Sequence, residues 1–305
     1  MRSILPLALT LSACIANLDG FQHNPRHCSV IGTETCEDET EEMDRLCTPC
    51  GESYPFADRG MPADRVSALS FESGGVTNDA YFVAAPEGSP LAEVTVVVSH
   101  GNRGGIEHYL HTMEALYGAG PNLFTYEYPG YGQSSSDQAP SETAFFANAD
   151  DAYALLLTEL QQRGLQESGV ILYGMSLGAL PTVHLARKHA VKGVILEAPY
   201  PSASLFLADS SATSFPASFV LSGSYDNLEK LPEVTAPILL MHSSDDTFIR
   251  IEHSEALYDA MNAPKCFWRT SGAGHGISGG IAVTEGYDRY AQQVGAWISD
   301  QTCPE

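Results

Sequence analysis

The chain has 305 residues, of which 44% are hydrophobic and 17% charged. That is long enough for one large α/β domain, and the composition is that of a globular rather than a disordered chain. Lys and Arg total 15 against 38 Asp and Glu, a formal net charge of −23; a surface this acidic repels phosphate backbones and excludes nucleic-acid binding.

The N-terminus reads as an address. Met1-Arg2-Ser3 is a short basic start, Ile4 to Leu11 is apolar, and Leu11-Ser12-Ala13-Cys14 ends on a cysteine. The apolar run is too short to span a bilayer, so it is expected to be a secretory signal. Its last four residues resemble a bacterial lipobox. Residues 1–13 are therefore expected to be cleaved and Cys14 lipidated, which would hold the exported protein on a bacterial membrane at its periplasmic or extracellular face. The alternative is a plain signal peptide with an incidental cysteine.

Cys28, Cys36, Cys47, Cys50, Cys266 and Cys303 follow, and an even number in an exported chain points to disulfides. Cys266 starts the last expected strand and Cys303 follows the last expected helix, so these two are expected to pair, leaving the four N-terminal cysteines to pair among themselves. Residues 14–60 read as an acidic, cysteine-containing tether. Seven of the eleven residues from Glu34 to Asp44 are acidic, with no apolar period.

From 61 to 305 strand and helix signals alternate. Strands are expected at Val66–Phe71, Ala80–Ala84, Val94–Val98, Leu123–Tyr126, Val170–Tyr173, Val194–Leu196, Ile238–Met241 and Cys266–Arg269. VTVVV at 94–98 is a continuous β-branched run, as a strand buried on both faces requires. Helical stripes run through Ala149, Ala152, Tyr153, Leu156, Leu157 and Leu160, and through Tyr287, Tyr290, Ala291, Val294, Trp297 and Ile298. The alternation predicts an α/β fold with a mostly parallel central sheet and helices on both faces.

Chemistry in such sheets gathers at the C-terminal strand ends, and four peptides there stand out. Gly174-Met175-Ser176-Leu177-Gly178 follows a strand and precedes a helix, the context in which GxSxG presents a nucleophilic serine on a sharp turn. His100-Gly101-Asn102-Arg103-Gly104-Gly105 is a glycine-rich turn that suits backbone donors of an oxyanion hole. His242-Ser243-Ser244-Asp245-Asp246 and Gly272-Ala273-Gly274-His275-Gly276 then complete the chain order Ser, Asp, His, which is that of α/β-hydrolases. The residues alone leave Asp245 and Asp246 both open as the acid, with Asp226 a more distant rival. His108, His111, His184 and His189 are expected to be surface or packing histidines.

Residues 61–305 resemble an α/β-hydrolase of the serine-aminopeptidase-like branch, close to the depalmitoylase-type hydrolases. The resemblance is carried by HGNRGG at 100–105, YEYPGYGQS at 126–134, YGMSLG at 173–178, ILEAPY at 195–200 and APILLMHSSDDTFI at 236–249. His242-Ser243 departs from the His-Gly usual in that branch, and the short 199–236 interval implies a short or absent cap. The family's spacing selects Asp246 as the acid and leaves Asp245 as a turn residue bonding its own backbone.

The resemblance implies a catalytic set of Ser176, Asp246 and His275, with the N–H groups of Asn102 and Leu177 as the oxyanion hole. Expected pocket walls are Ile106, Tyr131, Tyr200, Phe206, Phe248 and Ile277. The expected partner is a small-molecule ester or acyl substrate, and no metal or cofactor is called for. The leading function is an exported serine hydrolase acting on carboxylic esters or thioesters. A peptidase of the same fold and a non-catalytic binding lipoprotein are the alternatives.

Overall fold

The computed structural model describes Cys28 and residues 48–102, 104–137, 139–205, 225–276 and 280–305. The strands are β1 (Val66–Ser73), β2 (Val76–Val83), β3 (Thr95–Ser99), β4 (Asn122–Tyr126), β5 (Val170–Met175), β6 (Gly193–Glu197), β7 (Ile238–Ser243) and β8 (Lys265–Thr270). They form one 8-stranded sheet in the order β1-β2-β4-β3-β5-β6-β7-β8. β1 pairs antiparallel with β2, and β2 antiparallel with β4; every later pairing is parallel. Each strand overlaps the run expected for it, though β2 starts four residues earlier than expected, at Val76, because Thr77, Asn78 and Asp79 pair with β1.

Parallel strands need crossovers, and the crossovers supply helices for both faces. The helices among the described residues are α1 (Leu110–Gly118), α2 (Glu142–Arg163), α3 (Ala179–Lys188), α4 (Asn227–Lys230), α5 (Ile251–Ala260), α6 (Ile281–Glu285) and α7 (Tyr287–Asp300). Alternate residues of β5 show the division. Val170 and Leu172 pack in one core with Leu156 and Leu160 of α2 and Leu180 and Val183 of α3. Ile171 and Tyr173 pack in the other with Met113 and Leu116 of α1 and Val294 and Trp297 of α7. α2 starts where Ser141 accepts the Ala144 N–H and stops at Gly164, whose φ of 71° continues no helix.

The boundary of the tether differs from expectation. Residues 48–60 are part of the folded domain: Tyr54 and Phe56, with Met61, are buried against Tyr81 and Val83 of β2. Three apolar side chains at irregular spacing suffice here because the rest of their core is already built by the sheet. Cys28 is crosslinked to Cys50, and Cys266 to Cys303. Cys14, Cys36 and Cys47, the rest of the tether, and residues 206–224 where a cap would sit lie outside the described residues. No helix among the described residues is long and apolar enough to cross a membrane.

The Cys266–Cys303 link ties the chain end to β8 across 37 residues. Loss of a crosslink of that span costs about 2–4 kcal/mol, chiefly by freeing the unfolded chain. Cys303→Ser is expected to lower Tm by roughly 5–10 °C in scanning calorimetry while the folded protein keeps its far-UV spectrum.

Candidate active site

β5 runs into a turn at Ser176, which adopts the left-handed region at φ 52°. A non-glycine residue there costs roughly 1–3 kcal/mol and persists only when its surroundings dictate it. The surroundings are backbone: a Cβ on Gly178 would lie 2.1 Å from the Ser99 carbonyl oxygen, and one on Gly174 would lie 2.5 Å from that of Gly178. β3 and β5 pair in parallel with Ser99 opposite Gly174. That register brings the 100–105 turn against the 176–178 turn. The Tyr200 N–H then holds the Ser176 carbonyl at 3.0 Å.

His275 comes from the loop after β8 and Asp246 from the loop after β7. His275 Nε2 stands 3.0 Å from Ser176 Oγ, and its Nδ1 2.7 Å from Asp246 Oδ2. An Nδ1 facing a carboxylate carries the proton, which leaves the Nε2 lone pair directed at the serine hydroxyl. Asp246 is buried, and its Oδ1 accepts the N–H groups of Phe248 and Ile249, each at 2.9 Å. Burial opposes its charge, but hydrogen bonds from His242, His275 and the Ile249 N–H, with the His275 charge, hold the carboxyl well below the usual carboxylate range.

His242 was noted from sequence only as a departure point, yet it sits in this network. Its Nε2 faces two acceptors, the Ile249 carbonyl at 2.8 Å and Asp246 Oδ2 at 3.2 Å, so it carries the proton. Its Nδ1 consequently accepts from Ser254 Oγ at 2.6 Å. A polar residue ending an otherwise apolar strand was the available signal.

Asp245 does not bond its own backbone as expected. Its Oδ2 accepts the Gly272 N–H at 2.7 Å, which ties the acid loop to the histidine loop. Asp226 caps α4 by accepting the Glu229 N–H, and it is Asp246 that bonds the imidazole of His275.

The expected pocket walls divide. Phe248 is 61% exposed, with its ring centroid 4.8 Å from that of His275, so it offers apolar surface beside the imidazole. Ile106, Tyr131 and Tyr200 are buried in the cores and brace the loops from beneath instead. Tyr131 does so through its hydroxyl, which donates to Asn102 Oδ1 at 2.7 Å. Phe206 and Ile277 lie outside the described residues. Leu177 is buried within the serine turn. His184 bonds Asp150, His189 bonds Glu167 and His111 bonds Tyr287, all as structural contacts. His108 is buried against Gly104.

Glu127, within YEYPGYG, is a second residue that sequence reasoning passed over. It is fully buried beneath the 100–105 turn. A charged residue inside an aromatic run was its signal.

Comparison with known proteins identifies the family. Residues 91–213 match the family model described as Serine aminopeptidase, S33. Alpha/beta hydrolase domain-containing protein 17B of Xenopus tropicalis is 31% identical over 221 residues, covering 70% of this chain and 69% of that protein. The chain belongs to the α/β-hydrolase superfamily, in its serine-aminopeptidase-like branch. The Homo sapiens 17B protein is 30% identical over the same shares of both chains. Two solved structures share the fold at 17% identity. An esterase of Pyrococcus furiosus has a TM-score of 0.62, with 81% of this chain and 94% of that one covered. A soluble variant of monoglyceride lipase from Saccharomyces cerevisiae has a TM-score of 0.60, with 82% and 99% covered.

The Asp246 charge leaves a mark on stability. Its folded pKa lies below the unfolded value of about 3.9, so its contribution is full above that pH and is lost as the pH falls toward the folded value. Asp246→Asn should therefore flatten the pH dependence of unfolding free energy below about pH 4, by up to one proton's slope. Urea titrations at several acid pH values check this; identical slopes in variant and wild type would assign the low-pH proton elsewhere.

Proposed function

We propose that this protein is a serine hydrolase that cleaves carboxylic esters or thioesters through an acyl-enzyme on Ser176. The observation that supports it most strongly is the continuous hydrogen-bonded path Ser176–His275–Asp246, mounted on a left-handed serine turn at the C-terminal edge of a parallel sheet. As Ser176 Oγ attacks the carbonyl carbon, His275 Nε2 takes its proton. The Asp246 carboxylate keeps the imidazole in the Nδ1–H tautomer and stabilises the imidazolium. Backbone N–H groups of Asn102 and Leu177 would hold the developing oxyanion. His275 returns the proton to the leaving alcohol or thiol, and water activated by the same imidazole releases the acid. Phe248 would contact the apolar part of the substrate.

A peptidase reading of the same site is favoured by one observation, the peptidase name of the matching family model. A panel of p-nitrophenyl esters, acyl thioesters and amino-acid anilides separates the two, and turnover of anilides alone would transfer the assignment. A non-catalytic binding lipoprotein would show no turnover in any class. The address at residues 1–14 supports export with a lipid on Cys14. Labelled palmitate should enter the protein expressed with its own leader in a bacterium and fail to enter Cys14→Ala.

Ser176→Ala is expected to lower ester turnover by about a thousandfold or more and to abolish fluorophosphonate labelling, because members of such a set act as a unit. Asp246→Asn should lower kcat by about a thousandfold or more, by analogy with the triad acid of serine proteases. Asp245→Asn should cost far less, since it loses a loop tie rather than the imidazole's orienting group. A larger loss for Asp245→Asn would move the acid by one residue.

A further inference from the structure

The turn that would supply the Asn102 N–H is held from below by one carboxylate at its far end. Glu127 Oε1 accepts the Ile106 N–H at 3.0 Å, at the far end of the turn. Glu127 Oε2 lies 3.3 Å from Nε2 of His100, at its near end. The fit is tight: a Cβ on Gly105 would lie 2.6 Å from Oε1, and one on Gly132 would lie within 1.9 Å of it. The carboxylate thus lies close against Gly105, and the Ile106 N–H bond couples its position to the backbone of the turn.

A fully buried carboxylate keeps its place only while its donors are present. Oε1 has a second one, the Tyr54 hydroxyl at 2.5 Å. Tyr54 comes from outside the sheet, on the N-terminal segment, and that segment is fastened to the loop after β4 and to the residue that follows Ile106. The Cys28–Cys50 crosslink closes it, with Cα atoms 5.1 Å apart. The Cys28 N–H donates to the Gly132 carbonyl at 2.8 Å and the Gly51 N–H to Gln133 Oε1 at 3.0 Å. On the other side Thr48 donates its N–H and hydroxyl to the Glu107 carboxylate, at 3.1 and 2.9 Å.

We propose that Tyr54, held by the Cys28–Cys50 crosslink, is a positioning residue for the oxyanion turn and acts on it through Glu127. This rests on the hydrolase reading above and on Asn102 as an oxyanion donor. Without the Tyr54 hydroxyl, Oε1 retains the Ile106 N–H as its hydrogen-bond donor, and the carboxylate shifts toward water. The backbone of Asn102 and of Gly104–Ile106 follows, and the Asn102 N–H leaves the place where the oxyanion forms. Substrate binding does not need that donor, so the loss falls on kcat rather than KM.

The test is a double-mutant cycle on the full chain, assayed with one p-nitrophenyl ester well below every variant's melting temperature. Tyr54→Phe is expected to lower kcat about tenfold with KM within about twofold, less than the roughly hundredfold cost of deleting an oxyanion donor. Inactivation by a fluorophosphonate should slow by the same factor. The paired change Cys28→Ser with Cys50→Ser should lower kcat by no more than Tyr54→Phe, and all three changes together by no more than Tyr54→Phe alone. A Tyr54→Phe enzyme with a lower Tm and unchanged kcat would overturn the proposal, and losses that multiply would detach the crosslink from Tyr54. If the paired cysteine variant does not fold, Tyr54→Phe decides alone. Wild-type protein that neither turns over esters nor labels at Ser176 would instead overturn the hydrolase reading, and the proposal with it.

Discussion

Two stretches of backbone approach each other where no side chain can fit, and the site is arranged around that contact. Gly178 lies against the carbonyl ends of Ser99 and His100, at the point where β3 and β5 run side by side. This contact forces the serine turn into a left-handed conformation and puts it beside the glycine-rich turn after β3. The strain at Ser176 is offset by the many bonds of two fully buried strands, so it stays local. Replacing Gly178 by any other residue would drive the two turns apart before any chemistry was touched.

The acid side of the site is built on a different principle, that of a buried charge with every acceptor filled. Asp246 receives two backbone N–H groups on one oxygen and two imidazoles on the other. His242 has no contact with Ser176 in this network, yet it denies the carboxylate freedom to rotate away from His275. Ser254 and the Ile249 carbonyl in turn fix His242. Asp245, one residue earlier, faces the other way and joins the acid loop to the histidine loop through Gly272. Adjacent carboxylates thus divide between orienting a ring and closing a loop.

The sheet and the strand-end peptides were legible in the sequence because both are local. A strand covered on both faces needs an unbroken apolar run, GxSxG and HGNRGG mark close backbone approaches that need glycine, and GAGHG marks turns at positive φ. What escaped was assembled across distance. Tyr54 and Phe56 are two apolar side chains around a proline, too few to show a period, so residues 48–60 read as tether until their partners on β2 were visible. Glu127 and His242 look like ordinary polar residues until the loops that bury them are in place. Asp245 could be excluded as the acid only through the resemblance, and its bond to a residue 27 positions away was beyond sequence reasoning. Ile106, Tyr131 and Tyr200, expected as pocket walls, are buried in the cores instead, because the loops that carry them fold back over the sheet.

The proposed hydrolysis requires a covalent bond to form at Ser176 through His275. Rapid acid quench of the full-length protein with an activated ester, followed by mass spectrometry of its peptides, looks for that bond directly. The expected result is one acyl group on the peptide containing Ser176, formed within the first turnover and reduced to background in His275→Ala. Steady turnover with no acyl group on any peptide, or an acyl group on another residue in the first turnover, would contradict it.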